Sequence, residues 1–435
     1  MAYAATRTSL PAASRPRFVL STYDTIPFAN AERGQPGLTR TIRRALTIEV
    51  KSPPKLASTE VRETRSRRGV TRAAQPRLAS SARLEDDRHL LTPLHYAARR
   101  LLRRPIPSLR DVARRTWILH PSERETRPPA LCLPGQLDRV EAVQQETTLD
   151  AERRRVLGGP VEHAAITMFE LAGAEIAEGS IYASGCRISM LPGSVVRAAL
   201  ASADEELERA AIDCTYVGNK YFGHWLTDDC TLHFLMREHA DPIGLARTPY
   251  PHEAGYCRAW DMQHRKVSRV RVRSLLLGED YGQNANKRDR YRRLRATLLR
   301  HAGPERRAGI YLRRGSSGVL RLLVNEDEVE ATLARRGFAV VDPTAVSVAE
   351  LVRSCAGAAC VVAVEGSSMA HGVMTVRDGG SLVTLQPPWR FNSVFKDYTD
   401  CLDMRYAFLV GSRSGEGFRI DVDELERTLD LCLRD

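Results

Sequence analysis

Three short stretches of this chain bring together side chains able to do chemistry. In GNKYFGHWLTDD (218–229), His224 and Asp228 stand four residues apart, so on a helix they share one face. Asp229 lies one residue further round, and Gly218 and Gly223 allow a tight entry. A carboxylate beside an imidazole orients and charges it, an arrangement suited to general-base work. The same spacing also fits a capped helix anchored by Trp225, with incidental acids. In VVAVEGSSMAHG (361–372), an apolar run delivers Glu365, and Gly366, Ser367 and Ser368 open a loop ahead of His371. At the carboxyl end of a parallel strand, a small-residue turn feeding a helix suits phosphate, although an ordinary strand–helix turn has this form too. Neither G-x-G-x-x-G nor a Walker A lysine is present, so no dinucleotide site or NTPase phosphate loop follows. In YLRRGSSGVLRLLVNEDE (311–328), Arg313 and Arg314 leave a strand beside a Gly/Ser-rich loop, where guanidinium groups can clamp a diphosphate.

Positioning these groups requires a scaffold. Residues 1–85 are rich in Arg, Ser, Thr, Ala and Pro, and their apolar clusters are too short to enclose a core. They read as a basic, partly irregular extension, within which 38–50 has the pattern of a short amphipathic helix or strand. From about residue 86 the pattern is globular. HLLTPLHYAARRLLRR (89–104) predicts a helix, and strand signals continue through GSIYASGCRISML (179–191). SADEELERAAI (202–212) reads as a short helix, and KRDRYRRLRATLLRHAG (287–303) as a basic amphipathic helix on the surface. After Pro304 strands and helices alternate: AGIYLRR, NEDEVEATLARRGF, AVVDPT, SVAELVRSCAGA, ACVVAVEGSS and SLVTLQP. Ser347 and Glu350 form a capping box at the head of the second helix. This alternation predicts an α/β fold with a parallel sheet covered on both faces. The chain divides into the extension (1–85), an α/β lobe (86–300), a second lobe (301–410), and a strand and helix (411–435) that can cross back to the first lobe.

The order of the pieces resembles the family 61 glycosyltransferases over roughly residues 155–410. A His-x-x-x-Asp-Asp segment is followed by a strand with Arg and a small-residue loop, then by an N-E-x-E-[VL] helix (from Asn325) and a G-F-x-V-V strand. An S-x-x-E-x-V helix and an apolar strand into a Gly/Ser loop close the series. The resemblance implies two Rossmann-like lobes of GT-B type, with a nucleotide sugar, typically UDP-linked, in the C-terminal lobe. It implies inverting transfer to a glycan or other hydroxyl acceptor without a metal ion, in a setting such as bacterial polysaccharide synthesis. Carried over, Arg313 and Arg314 face the diphosphate, and Asn325 and Glu326 organise the loop beside the nucleotide. Gly366 to His371 lie under the phosphates or ribose, and His224 with Asp228 or Asp229 supplies the base. The family often has His-Gly-Ala-Gly where this chain has Glu365-Gly366-Ser367-Ser368. An acid at that point repels a diphosphate unless it turns toward ribose hydroxyls, while His371, standing where Asn often follows, partly replaces the imidazole. A non-catalytic relative that binds a nucleotide or glycan within a polysaccharide-assembly complex is the alternative.

Charge adds less than its size suggests. The 435 residues carry 65 Lys+Arg and 53 Asp+Glu, a net +12. Residues 1–155 hold 30 basic and 16 acidic groups, and the remaining 280 hold 35 and 37. The surplus therefore belongs to the N-terminal third, as a solvated tail or a tether to an anionic membrane surface or polymer. Nucleic acid is disfavoured, because no aromatic-plus-basic binding motif accompanies the charge. The chain lacks both a secretory apolar segment and any run of roughly 18–20 apolar residues. Its nine cysteines form no C-x-x-C pair and no zinc-type Cys/His spacing. Cys355 and Cys360 read as core residues, and the whole as a cytoplasmic protein, peripheral to a membrane where the tether engages.

Overall fold

A computed structural model describes residues 92–200, 202–300, 307–314 and 321–433. The extension 1–85, with the segment 38–50, lies outside the described residues. The helix expected near residue 89 runs Thr92–Leu101 and buries Tyr96. In chain order the first ten strands are β1 (Arg115–His120), β2 (Glu123–Arg127), β3 (Gly159–His163), β4 (Ile166–Ala177), β5 (Ser180–Ala183), β6 (Cys186–Ser189), β7 (Glu205–Ile212), β8 (Pro242–Leu245), β9 (Arg265–Val267) and β10 (Arg269–Glu279). Eight of them form one mixed sheet in the order β6-β5-β4-β10-β7-β8-β9, with β1 on β4. Parallel pairing is confined to β10–β7, β7–β8 and β8–β9, while β10 meets β4 antiparallel. The other two, β2 and β3, make a separate antiparallel pair.

A second sheet comprises β11 (Arg307–Leu312), β12 (Phe338–Val341), β13 (Ala358–Val364), β14 (Ser381–Gln386) and β15 (Arg405–Val410). Its order is β12-β11-β13-β14-β15, and every pairing is parallel. Val361, Val362 and Ala363 of β13 are fully buried, as a central parallel strand requires. The helix Val348–Cys355 starts on the expected capping box, in which Ser347 and Glu350 bond reciprocally. Cys355 and Cys360 are fully buried, as expected. A mixed α/β fold with a parallel C-terminal sheet is thus what the sequence pattern called for.

Two elements differ from expectation. Glu205–Ile212 is the strand β7, not a helix. Its Ala210 and Ile212 are buried on one face of the sheet and Ala211 on the other, between β10 and β8, where non-local pairing overrides helix propensity. The basic helix, Ala285–Leu299, exposes Asp289, Arg292 and Arg293 as expected, but its other face is buried more deeply than a solvated basic helix requires. Lys287, Arg290, Tyr291, Leu294, Arg295 and Leu298 are all buried. Its cations stay buried because each meets a partner: Lys287 bonds Asp228, Arg290 bonds Asp280 in a fork, and Arg295 caps the carbonyls of Val373 and Val376. Tyr291, Leu294 and Leu298 share one core with Trp225, Leu226, Met369 and Val373. This helix therefore joins the His224 segment to the C-terminal sheet.

The first lobe read from sequence also lends a segment to the second sheet. Leu131 pairs with Ala407 and Val143 with Phe391. Buried Glu152 accepts from the Ser393 amide (2.7 Å) and hydroxyl (2.6 Å), and Arg155 pairs with Asp397 at 2.9 Å. The last helix, Val422–Leu433, lays Leu425, Leu429 and Cys432 on the same sheet. Among the described residues, no helix is long and apolar enough to cross a membrane.

Candidate functional site

In the C-terminal sheet, chain order reverses between β11 and β13. In open parallel sheets the crevice at the carboxyl ends of two such strands is where ligands bind. Arg313 and Arg314 follow β11, and Glu365 and Gly366 follow β13. The reversal therefore brings together two of the three segments singled out by residue type.

Adjacent residues leaving a strand point to opposite sides, and the two arginines separate accordingly. Arg313 turns to Glu330 of the helix Glu326–Arg335 and forms a fork with it (2.7 and 2.6 Å). Arg314 turns inward and donates to the Glu365 carbonyl at 2.9 Å. Arg321, which the sequence reading had not singled out, donates to the same carbonyl at 2.7 Å and pairs with the Glu365 carboxylate at 3.0 Å. Arg390 and Asn392, from the segment after β14, bond that carboxylate at 2.8 and 3.1 Å. The acid expected to repel a diphosphate is thus surrounded by three guanidinium groups. Burial pulls Arg321 down to about 10, against the attraction of Glu365 and with the repulsion of Arg314 and Arg390 adding to the fall. Like charges crowded in this way are relieved by an anion. Gly366 sits at φ +151°, and a Cβ there would fall 1.9 Å from an Arg314 nitrogen. Only glycine lets this loop close on the arginines.

The His224 segment abuts the same loop. A short helix, Phe222–His224, runs into a π-turn, Trp225–Asp229, and then into the helix Cys230–Met236. Such π-turns recur at functional sites because they re-aim side chains. Gly223 packs on the loop so closely that a Cβ there would meet the Ser367 Cα at 3.2 Å. His224 Nδ1 lies 2.8 Å from Asp228 Oδ2. Tyr398 donates its hydroxyl to the same oxygen at 2.7 Å, and Lys287 donates to Oδ1 at 2.8 Å. Burial alone would raise the Asp228 carboxyl, but the Lys287 charge and the His224 contact outweigh it and hold Asp228 below the usual carboxylate range. An ionised Asp228 accepting from Nδ1–H leaves Nε2 as the basic nitrogen of His224. Neither Tyr398 nor Lys287 was legible as a partner, since they lie 170 and 59 residues from Asp228.

Other expected site residues lie elsewhere. Asp229 faces away from His224 and accepts from the Thr215 amide (2.9 Å) and hydroxyl (2.8 Å). Burial, with Asp228 and Asp213 nearby, pushes its carboxyl well above the ordinary value. Asn325 clips the chain near Ile420 through its side-chain amide (2.8 and 3.0 Å), and Glu326 accepts from Tyr311 at 2.8 Å. His371 is buried behind the loop, bonded to the Tyr256 hydroxyl at 2.7 Å and close to His252 and Phe222. Burial, with the His252 charge adding, drives it down to about 3, so it is neutral. The loop residues Gly366, Ser367 and Ser368 themselves stay at the crevice, Ser367 against Gly223.

The loop after β13 thus carries guanidinium groups and, through the contact of Ser367 with Gly223, abuts the segment that holds the imidazole–carboxylate pair. It can hold an anionic leaving group beside a base.

Residues 222–383 match the family model described as Glycosyltransferase 61. The matched region begins two residues before His224 and extends past His371, so it contains the His224–Asp228 pair, Arg314, Arg321 and the Gly366 loop. It supports the family 61 assignment to which the resemblance pointed. No curated protein matches the chain at a significant level.

Proposed function

We propose that the crevice transfers a sugar from a nucleotide-sugar donor, taken as UDP-linked from the family resemblance, to a hydroxyl of a glycan or similar acceptor. The observation that carries this reading is the cluster of Arg314, Arg321 and Arg390 around Glu365, one close contact (Gly223 on Ser367) away from His224 and Asp228. His224 Nε2 takes the proton of the acceptor hydroxyl, and Asp228 stabilises the imidazolium that forms. The acceptor oxygen attacks the anomeric carbon as its bond to the diphosphate breaks. One displacement inverts the centre. The three guanidinium groups take up the charge of the departing diphosphate, a role that in other transferases falls to a metal ion. A two-lobe GT-B arrangement, with the eight-stranded sheet on the acceptor side, fits this division of labour, and polysaccharide synthesis supplies acceptors of the required kind.

The test is calorimetry with UDP, followed by turnover of a panel of UDP-sugars by the wild type and His224→Ala. The expected result is UDP binding in both proteins, with turnover lower in the variant by about 10²–10⁴-fold. Binding of UDP with no transfer or hydrolysis of any donor would instead support the non-catalytic alternative. Turnover by His224→Ala within about threefold of wild type would sink the base assignment.

A further inference from the structure

A third cluster of ligating side chains lies beside the site and has no part in the mechanism above. Strand β7 ends at Ile212 and delivers Asp213, the helix Cys230–Met236 contributes His233, and His264 immediately precedes β9. Asp213 Oδ2 lies 2.8 Å from His233 Nδ1 and 2.8 Å from His264 Nδ1. One ligand atom from each of the three residues falls within 4.8 Å of the others. Asp213 is 0% exposed and His233 2%, while His264 is half-buried at the edge of the cluster.

Hydrogen bonding accounts for only part of this convergence. His233 Nδ1 makes a well-formed bond to Asp213. His264 Nδ1 is equally near the same oxygen, so two imidazoles crowd one carboxylate oxygen while Asp213 Oδ1 has no hydrogen-bond partner. A buried carboxylate oxygen left unsatisfied is costly. Three ligating atoms, from three separate elements, thus converge within reach of a single ion. Two imidazole nitrogens and a carboxylate oxygen are a donor set that zinc favours, at about 2.0–2.2 Å from the metal. Cys257 approaches the same His264 ring and is the candidate fourth ligand.

We propose that Asp213, His233 and His264 bind a structural zinc ion. The ion ties together the end of β7, the start of β9 and the helix that continues from the His224 segment. Asp213 is two residues from Thr215, which grips Asp229, and His233 is four residues beyond Asp229. The clamp thus fixes the backbone that aims His224 and Asp228, and takes no part in transfer. The sequence showed no zinc-type pattern because the ligands are spaced by 20 and 31 residues and one of them is a carboxylate.

The test is metal analysis of the full-length protein purified without chelator, with scanning fluorimetry alongside. The expected result is about one zinc ion per chain in the wild type and in Cys432→Ser, a remote control, and less than about a tenth of that in Asp213→Asn and His264→Gln. Stripping the wild type with dipicolinate should lower Tm by at least about 5 °C, with recovery on adding zinc chloride and none with magnesium chloride. The wild-type arm does not depend on the variants folding. Folded wild type that carries no zinc and gains no Tm on adding it overturns the proposal, as does full zinc content in the Asp213→Asn/His264→Gln double variant.

Discussion

Replacing Lys287 by Met tests how the site is held together. Lys287 is fully buried, and its ammonium lies 2.8 Å from Asp228 Oδ1 and 3.0 Å from the Asp280 carbonyl. At that separation and an effective dielectric near 20, Coulomb attraction is about 6 kcal/mol before desolvation. Breaking one side of a buried pair costs roughly 3–5 kcal/mol, because a charge is left without its partner. For a chain of this size that lowers Tm by about 3–6 °C. The deficit has a sign in pH. In the wild type, Asp228 is held below its unfolded value, so its stabilisation is fully present above the unfolded carboxylate pKa and is lost as pH falls through the folded value. Without Lys287, burial dominates and the folded value rises above the unfolded one. The variant therefore loses stability as pH rises, and its deficit is larger at pH 8 than at pH 5. Adding Asp228→Asn removes the orphaned charge and should recover stability relative to Lys287→Met alone, though not turnover. The assay is scanning fluorimetry of the wild type, both single variants and the double variant at the two pH values. A Tm loss under about 2 °C at both, or a double variant no more stable than Lys287→Met, refutes the ion-pair argument.

Arg321→Ala should weaken UDP binding by about 10–100-fold, the worth of charge-assisted hydrogen bonds, whereas Arg313→Ala should change it by less than about threefold because Glu330 already holds that side chain; calorimetry on both variants decides. Gly366→Ala places a carbon against Arg314 and should abolish measurable UDP heats while Tm drops by only a few degrees, about 2–4 °C. Asp229→Asn should retain turnover, unlike Asp228→Asn. Because the folded Asp229 pKa is raised, wild-type stability falls as pH rises through it, so the Asn variant should gain Tm relative to wild type at pH 8 and not at pH 5; a turnover loss equal to that of Asp228→Asn would return Asp229 to the reacting centre. Deleting residues 1–85 should abolish sedimentation with anionic liposomes and leave UDP binding unchanged; a loss of UDP binding would make the segment part of the site.

Local signals carried much of the second sheet. The capping box at Ser347 and Glu350 is complete within four residues, and the apolar run of β13 is long enough to read as a buried strand. Where partners are distant, the same reading failed. Glu205–Ile212 has helix-forming composition, and only its neighbours β10 and β8 make it a strand. The helix Ala285–Leu299 looks like a solvated basic face, since nothing in its own sequence announces that Asp228, Asp280 and the carbonyls of Val373 and Val376 will meet its cations. A surplus of arginine across the chain thus conceals buried, paired arginines that set the geometry.

The site shows the same division. His224 and Asp228 were legible because a helical face needs only a spacing of four. The resemblance put Arg313 ahead of Arg314, whereas it is Arg314 that meets the Gly366 loop and Arg313 that meets Glu330, because the choice depends on which side of β11 each residue leaves. Glu365 read as a liability because its neighbours are 44 and 25 residues away in sequence. With Arg321 and Arg390 on its carboxylate and Arg314 on its carbonyl, it becomes the group that lets three cations share one crevice before any anion arrives. Two buried guanidinium groups and a third, half-buried one, with no internal acid, would repel each other and prise the loop open. One acid cannot neutralise all three, so a positive surplus remains for the ligand. A Glu365→Gln protein should therefore lose stability and gain affinity for a diphosphate in proportion to the charge removed, a trade-off that an acid facing ribose hydroxyls alone would not produce.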